Sequence, residues 1–358
     1  MLTSKIQSMI RRRNTFVAAL CLAAISSSAH AWDHPGHMTT ANVAYSEVSR
    51  TRPDLIEKIG LLFMAHPGAA PFWVAAGAAK GKEGIRRKFV ECARWADDVK
   101  FSTDDRPTWH TARWAIVAKD APGNAREAAA AREGKPAGQA LEALKLAFRT
   151  LSNPESNPKE RALALCWAFH IIGDIHQPMH VSDLFSQDFP TGNAAGTMSY
   201  VWDPVSDSPI PLHILWDMNA LRVPTLEVVD QATQTFMQKY PRSSFPELKK
   251  HPVGNPAVFE AWAKESYNIA ADWVYEDVES TPDPDKDAET ARLVQNMMNF
   301  ILHGKAPVDE APPLPEGYWE KVPPTTAKRI TLAGYRIADL ILSAADQIEA
   351  QRKFLGRP

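Results

Sequence analysis

The chain has 358 residues, 45% of them hydrophobic, with 40 basic and 42 acidic side chains and a formal net charge of -2. That much apolar material supports one large domain or two small ones and excludes a disordered chain. The slight acidic balance excludes nucleic-acid binding by bulk charge, so any affinity for phosphate has to be built locally.

In chain order, residues 1–31 read as a secretory signal. Lys5 and Arg11–Arg13 form a basic start, Phe16 to Ile25 an apolar stretch, and Ala29-His30-Ala31 a small-x-small cleavage site. Its removal takes away four basic residues and no acids, which moves the net charge from -2 to -6. Trp32 then becomes the first residue, with His37 five positions on. A free α-amine has a pKa near ~8 and can give up its proton to a metal ion. The apolar part of the signal is too short to span a bilayer and no second long apolar run follows, so no membrane anchor is expected. The expected location is secreted or periplasmic. Cys21 leaves with the signal. Cys92 and Cys166 remain, too few for a disulfide framework or a Cys-based zinc site; they are either a pair or two buried thiols.

Beyond Trp32 the periodicity is helical. Leu141, Leu144, Phe148 and Leu151 recur at three to four residues, as do Phe259, Trp262, Ser266, Ile269 and Trp273, and Ile330, Ile337, Ile341 and Ile348. Pro and Gly clusters at Ser152–Pro158, Pro204–Pro211 and Ala306–Pro324 punctuate the helices. Leu61–Gly84 is rich in small residues and poorly periodic, an insertion or long loop, and Thr281–Asp287 reads as a charged loop. Alternating strands and Asn-Gly hairpins are scarce. With no fixed repeat and no linker, the expected fold is all-α: one compact multi-helix domain over 32–358, with insertions near 61–84 and 181–212.

The segment from Leu163 to His180 carries the strongest chemical signal. Leu163, Trp167, His170, Ile171 and Asp174 fall on one helical face, beginning near Pro158. A histidine and a carboxylate one turn apart on a buried stripe are costly unless paired or ligated. Pro178 then breaks the helix and sends His180 elsewhere. His213 and Asp217 repeat the spacing among apolar neighbours. Phe89, Ala93 and Ala96 put Asp97 on the inward side of its helix, and His110 follows. For each pair alone a buried His–Asp hydrogen bond is the plain alternative. Together they form a nitrogen and carboxylate donor set without thiolate, which suits zinc.

These pieces in this order resemble the S1/P1-type zinc nucleases: the post-cleavage Trp32 with His37, Trp-Ala-Asp97, His110, the string His170-x-x-Gly-Asp174-x-His-Gln-Pro-Met-His180, Leu-His213-x-x-Trp-Asp217, and Ala333-Gly334-Tyr335-Arg336-Ile337-Ala338 near the end. The resemblance implies an all-α scaffold with a cleft for three Zn2+. One ion is implied at Asp97, His110, His170 and Asp174. A second is implied at the Trp32 amine and carbonyl, His37 and a bridging oxygen of Asp174, and a third at His180, His213 and Asp217. It implies hydrolysis of phosphodiester bonds in single-stranded DNA and RNA, and of 3′-nucleotides, by a metal-bound hydroxide that leaves 5′-phosphates. Lys100 is implied to meet charge growing on the phosphate.

The chain departs from the family pattern in three places. Thr111 and Arg113 stand where an aromatic residue and an aspartate hold a base, which makes Trp109 or Trp114, for stacking, and Arg113, for a phosphate or base edge, the candidate substitutes. Pro211 stands where asparagine is usual. Gly192-Asn193 does match a family loop, so Asn193 is a further candidate substrate contact. His34 and His176 are outside the ligand set, His176 as a structural residue, and His66, His251 and His303 are expected at the surface. A zinc-dependent phospholipase C on the same scaffold is the second reading, with the apolar segment Phe63–Ala79, including Phe72 and Trp73, as a rim for acyl chains. A non-catalytic periplasmic zinc-binding protein is the third. No protein partner is evident.

Overall fold

The computed structural model describes residues 32–355 apart from 69–76, 78, 101, 220, 286–299 and 301–302. The secretory signal, the cleavage after Ala31, and Phe72 and Trp73 lie outside the described residues. The helices run α1 (His34–Thr51), α2 (Pro53–Met64), α3 (Gly81–Asp98), α4 (Gly123–Ala130), α5 (Ala140–Ser152) and α6 (Pro158–Ile175). They continue as α7 (Leu212–Met218), α8 (Leu226–Lys239), α9 (Pro246–Lys250), α10 (Val258–Ile269) and α11 (Tyr318–Phe354). Five short strands accompany them: β1 (Trp114–Val117), β2 (Ser182–Phe185), β3 (Ser199–Asp203), β4 (Ser208–Pro211) and β5 (Thr281–Pro282). The expected all-α class holds.

Helix α1 starts where the Asp33 side chain accepts from the His34 amide, with Pro35 in the first turn. Its first eleven residues, His34 to Ala44, are all buried, because α11, α3, α8 and α6 surround it. The approach of α11 depends on Gly334: a Cβ there would stand 2.5 Å from Val43 Cβ and 2.7 Å from the Thr40 carbonyl. Helix α6 starts as its sequence indicates. Asn157 and Glu160 form a reciprocal capping box around Pro158. Its second half, Leu165 to Ile175, is buried on every face. Cys92 of α3 and Cys166 of α6 form a disulfide, with their Cα atoms 4.8 Å apart, so the open choice between pair and free thiols resolves to the pair. Phe63, Phe89, Phe169, Trp95 and Trp167 fill the core between these helices.

Four local expectations are corrected. Leu61–Met64 are the last turn of α2, not loop, because Ile59 and Phe63 reach the core beneath them. The Pro204–Pro211 cluster ends in an antiparallel hairpin: β3 pairs with β4 from Tyr200↔Pro211 to Asp203↔Ser208, and Asp203 caps its turn by accepting from the Val205 and Ser206 amides. Thr281-Pro282 adds a third strand to that sheet. Pro323-Pro324 lie inside α11, which starts at Tyr318 and runs 37 residues. A proline pair in a helix interior costs about 3 kcal/mol or more. The long buried run from Arg329 to Ala338 offsets it. A second, parallel pair joins β1 to β2 in register Trp114↔Ser182. It ties the segment after His110 to the segment after His180. No helix among the described residues is long and apolar enough to cross a membrane.

Candidate metal centre

The side chains singled out in the sequence converge in one buried cleft. His170 and Asp174 lie one turn apart on α6, His213 and Asp217 one turn apart on α7, and His37 in the first turn of α1. Asp97 closes α3, His110 ends a 3-10 turn at Pro107–His110, and His180 sits in a second such turn at Pro178–Val181. Pro178 ends the α-helical path and turns His180 away from α6, as its position in the sequence predicts.

Three groups form, each with its donor atoms within 4.8 Å of one another: His37, His170 and Asp174; Asp97, His110 and His170; His180, His213 and Asp217. Asp174 joins the first two. Its Oδ1 is 3.3 Å from His37 Nε2, while its Oδ2 is 3.3 Å from His110 Nδ1 and 3.4 Å from His170 Nε2. Asp97 Oδ1 is 3.6 Å from His170 Nε2 and 3.8 Å from His110 Nδ1. In the third group Asp217 Oδ2 is 3.3 Å from His213 Nε2, and Oδ1 is 4.0 Å from His180 Nε2.

The backbone sets the histidine tautomers. A carbonyl only accepts, so His170 Nδ1 donates to Ala93 at 2.8 Å, His180 Nδ1 to His110 at 2.7 Å, and His213 Nδ1 to Ala195 at 2.9 Å. Each Nε2 therefore turns a lone pair inward. The His180–His110 bond also fixes the third group relative to the other two. Burial holds every one of these imidazoles below its usual pKa, His170 at about 3 and His213 at about 4, so all are neutral donors at neutral pH. Burial acts the opposite way on the carboxylates. Asp97 is pushed up to about 7 against the pull of Lys100, and Asp174 and Asp217 well above the carboxylate range.

The donor set fits divalent cations. Both ring nitrogens of His37, both carboxylate oxygens of Asp174, His180 Nε2 and Asp217 Oδ2 are buried without a hydrogen-bond partner. Each such group costs about 1–3 kcal/mol when left unsatisfied, and bound cations would satisfy the carboxylate oxygens and one lone pair on each imidazole.

Several neighbours complete the centre. Lys100 Nζ lies 2.8 Å from Asp97 Oδ1, placing a positive charge at the edge of the first two groups. The Trp32 indole is fully buried and donates from Nε1 to the Gly173 carbonyl at 2.8 Å, which positions Trp32 beside the turn that carries Asp174. Its backbone φ of 37° is unusual for a bulky residue. Trp109 is partly exposed and packs edge-on against Trp167. Arg113 is partly exposed, with Nη1 4.0 Å from Asp183 Oδ2 and a buried Nε without a partner. Asn193 is fully buried: its Oδ1 accepts from the Leu184 and Gly196 amides and its Nδ2 donates to Ser199. Its amide is used to hold the loop, which leaves it little to offer a substrate.

Sequence reading missed three supporting residues. Gln177 Nε2 donates to Asp217 Oδ1 at 2.7 Å while its Oε1 accepts from the Met179 amide, so one side chain aims Asp217 and shapes the turn that carries His180. A buried amide in the His-Gln-Pro string was the available signal. Gly173 lets His37 lie against α6, since a Cβ there would stand 2.6 Å from His37 Nδ1. Asp183 accepts from Arg132 at 2.9 Å and from the Ala195 amide at 3.3 Å, bracing the loop that orients His213. His176 is structural as expected: its Nδ1 donates to the Ile172 carbonyl and its Nε2 accepts from Arg336, which Glu265 neutralises. His66 is corrected. It is 2% exposed, because its ring packs edge-on against Trp95 with centroids 4.6 Å apart. His251 is half-buried and His303 is exposed.

The model of the S1/P1 Nuclease family matches residues 32–346. None of the curated proteins matches the chain. The chain belongs to the S1/P1 nuclease family and is a nuclease-type phosphodiesterase with three groups of residues able to hold metal ions.

Proposed function

We propose that this member of the S1/P1 nuclease family is a secreted or periplasmic, zinc-dependent endonuclease and 3′-nucleotidase. It cleaves single-stranded DNA and RNA and leaves 5′-phosphorylated products. One observation carries the reading: Asp174, fully buried and without a hydrogen bond, turns its two oxygens toward two different groups of imidazoles. Such a carboxylate would serve as a ligand to cations held at both groups. Zinc is favoured over magnesium or calcium because imidazole nitrogens outnumber carboxylates.

In this reading His37 and Asp174, with the matured Trp32 terminus, hold one ion; Asp97, His110, His170 and Asp174 hold a second; His180, His213 and Asp217 hold a third. The ions supply Lewis-acid activation of water and neutralise charge on the phosphoryl group. The protein's own groups do the rest. Backbone carbonyls at Ala93, His110 and Ala195 lock the imidazoles in place. Lys100 adds a positive charge at the phosphate as its oxygens become more negative. Arg113, 4.0 Å from Asp183, which accepts from the amide of Ala195 beside His213, is the candidate for a further phosphate contact. Single strands are favoured because bases have to splay to stack on an aromatic side chain, for which the partly exposed Trp109 is the candidate.

The test is turnover by the protein matured at Trp32 and loaded with zinc, on single-stranded DNA, RNA and 3′-AMP beside phosphatidylcholine. Chelator-sensitive release of 5′-phosphorylated nucleotides is expected, with Asp174→Ala lowering it about 10³-fold or more, since two ions lose a ligand. Release of diacylglycerol without nucleotides would replace this reading with a phospholipase.

A further inference from the structure

A second cavity, of about 360 Å³, lies where α2, α5, α6 and α11 meet, and none of the metal ligands lines it. Its volume falls within the range of small-molecule sites, roughly 300–1,000 Å³. The walls are apolar, among them Leu55, Ile59, Leu165, Ile341 and Ile348, and Ala344 and Ala345 leave the space that larger side chains would fill. The polar part of the lining is unbalanced. Lys58, Arg161 and Arg352 face one acid, Glu349. Glu349 is already engaged by Arg52 at 2.8 Å and Lys58 at 3.9 Å, and Lys58 also by Asp54 at 3.1 Å.

That leaves Arg161 and Arg352 without a carboxylate among the described residues. Among the described residues the Arg161 guanidinium makes a single long hydrogen bond, to the Leu151 carbonyl at 3.3 Å. Burial, and then the like charge of Arg352, hold its guanidinium below the usual arginine value. Arg161, half-buried, and Arg352, exposed at the rim, put two like charges at one apolar cavity, where a planar carboxylate matches the guanidinium fork. An inorganic anion would leave the apolar walls unfilled; a neutral lipid would leave the charge unmet.

We propose that this cavity binds a single-chain amphiphilic anion, a long-chain carboxylate, with its tail between α2 and α11 and its headgroup between Arg161 and Arg352. The site stands apart from the catalytic reading and does not depend on it.

Calorimetric titration of the full chain with decanoate tests this, with decanol as the tail alone and acetate as the headgroup alone. Saturable decanoate binding is expected, with weaker decanol binding and none by acetate. Arg161→Gln together with Arg352→Gln weakens decanoate by about tenfold or more and leaves decanol within about twofold. Ala345→Phe, which fills the cavity and keeps both arginines, weakens both ligands by about tenfold. Unchanged melting temperature and metal content report that the variants fold. The proposal is overturned if decanoate does not saturate, if neither variant alters its binding, or if the arginine variant loses decanol equally. Binding to anionic vesicles without binding to decanoate would also overturn it, in favour of a membrane surface.

Discussion

Replacing Gly173 with alanine tests how the centre is assembled, because the change keeps every proposed ligand side chain in the sequence. The new methyl would stand 2.6 Å from His37 Nδ1 and 2.8 Å from its Cε1. Ordinary contact begins near ~3.5 Å, so the imidazole has to retreat by about 0.9 Å. It has little room, being fully buried and stacked on His170 at a centroid distance of 4.0 Å. Metal–ligand distances tolerate only about 0.2 Å, so His37 and Asp174 can no longer serve one ion in good geometry. Helix α6 itself is not the casualty, since alanine is favoured over glycine in a helix interior by about 1 kcal/mol. The expected result is a loss of one metal equivalent or a 10–100-fold drop in its affinity, roughly 1.4–2.7 kcal/mol. Turnover should fall by about 100-fold. Chelator competition with metal analysis measures the first, nucleotide release the second, and circular dichroism checks the fold. A variant that keeps three equivalents at unchanged affinity would refute the close-approach role of Gly173.

Gln177→Leu removes the donor to Asp217 Oδ1 and the acceptor for the Met179 amide. Affinity at the His180 group should fall about tenfold by the same competition assay, with the His37 group unchanged. Reduction of the Cys92–Cys166 bond, which spans a sequence separation of 74 residues, releases a long loop in the unfolded chain. Chain entropy sets its upper contribution at about 4 kcal/mol, read from urea melts with and without reductant. His66 gives a pH test remote from the ligands. Burial lowers its pKa from 6.5 to about 4. The folded state therefore resists protonation, so this stability is complete above the unfolded value, is lost as pH falls from 6.5 toward 4, and declines no further below that. The loss reaches at most about 3 kcal/mol, and His66→Gln should remove that part of the slope in melts at pH 7 and 4.5.

Local rules govern what the sequence determined. Pro158 and the Asn157–Glu160 box start α6, a turn of helix places His170 beside Asp174 and His213 beside Asp217, and Pro178 ends the helical path; each depends on residues within a few positions. The His170–Asp174 and His213–Asp217 pairs were legible for that reason. Tertiary structure decided which faces meet. β1 and β2 exist only because the chain after His110 is carried beside the chain after His180, and short strands with no alternation of their own leave no periodic trace. Pro323-Pro324 were read as a break because the cost of proline is local, while the burial of α11 that offsets it comes from α1, far away in sequence. The burial of His66 against Trp95, the approach of His37 to Gly173, and the reach of Gln177 to Asp217 likewise arise between segments that spacing alone cannot relate. Helical periodicity fixes the side of a helix on which a donor lies. The distance between donors on different helices follows only from how side chains of particular size pack between them.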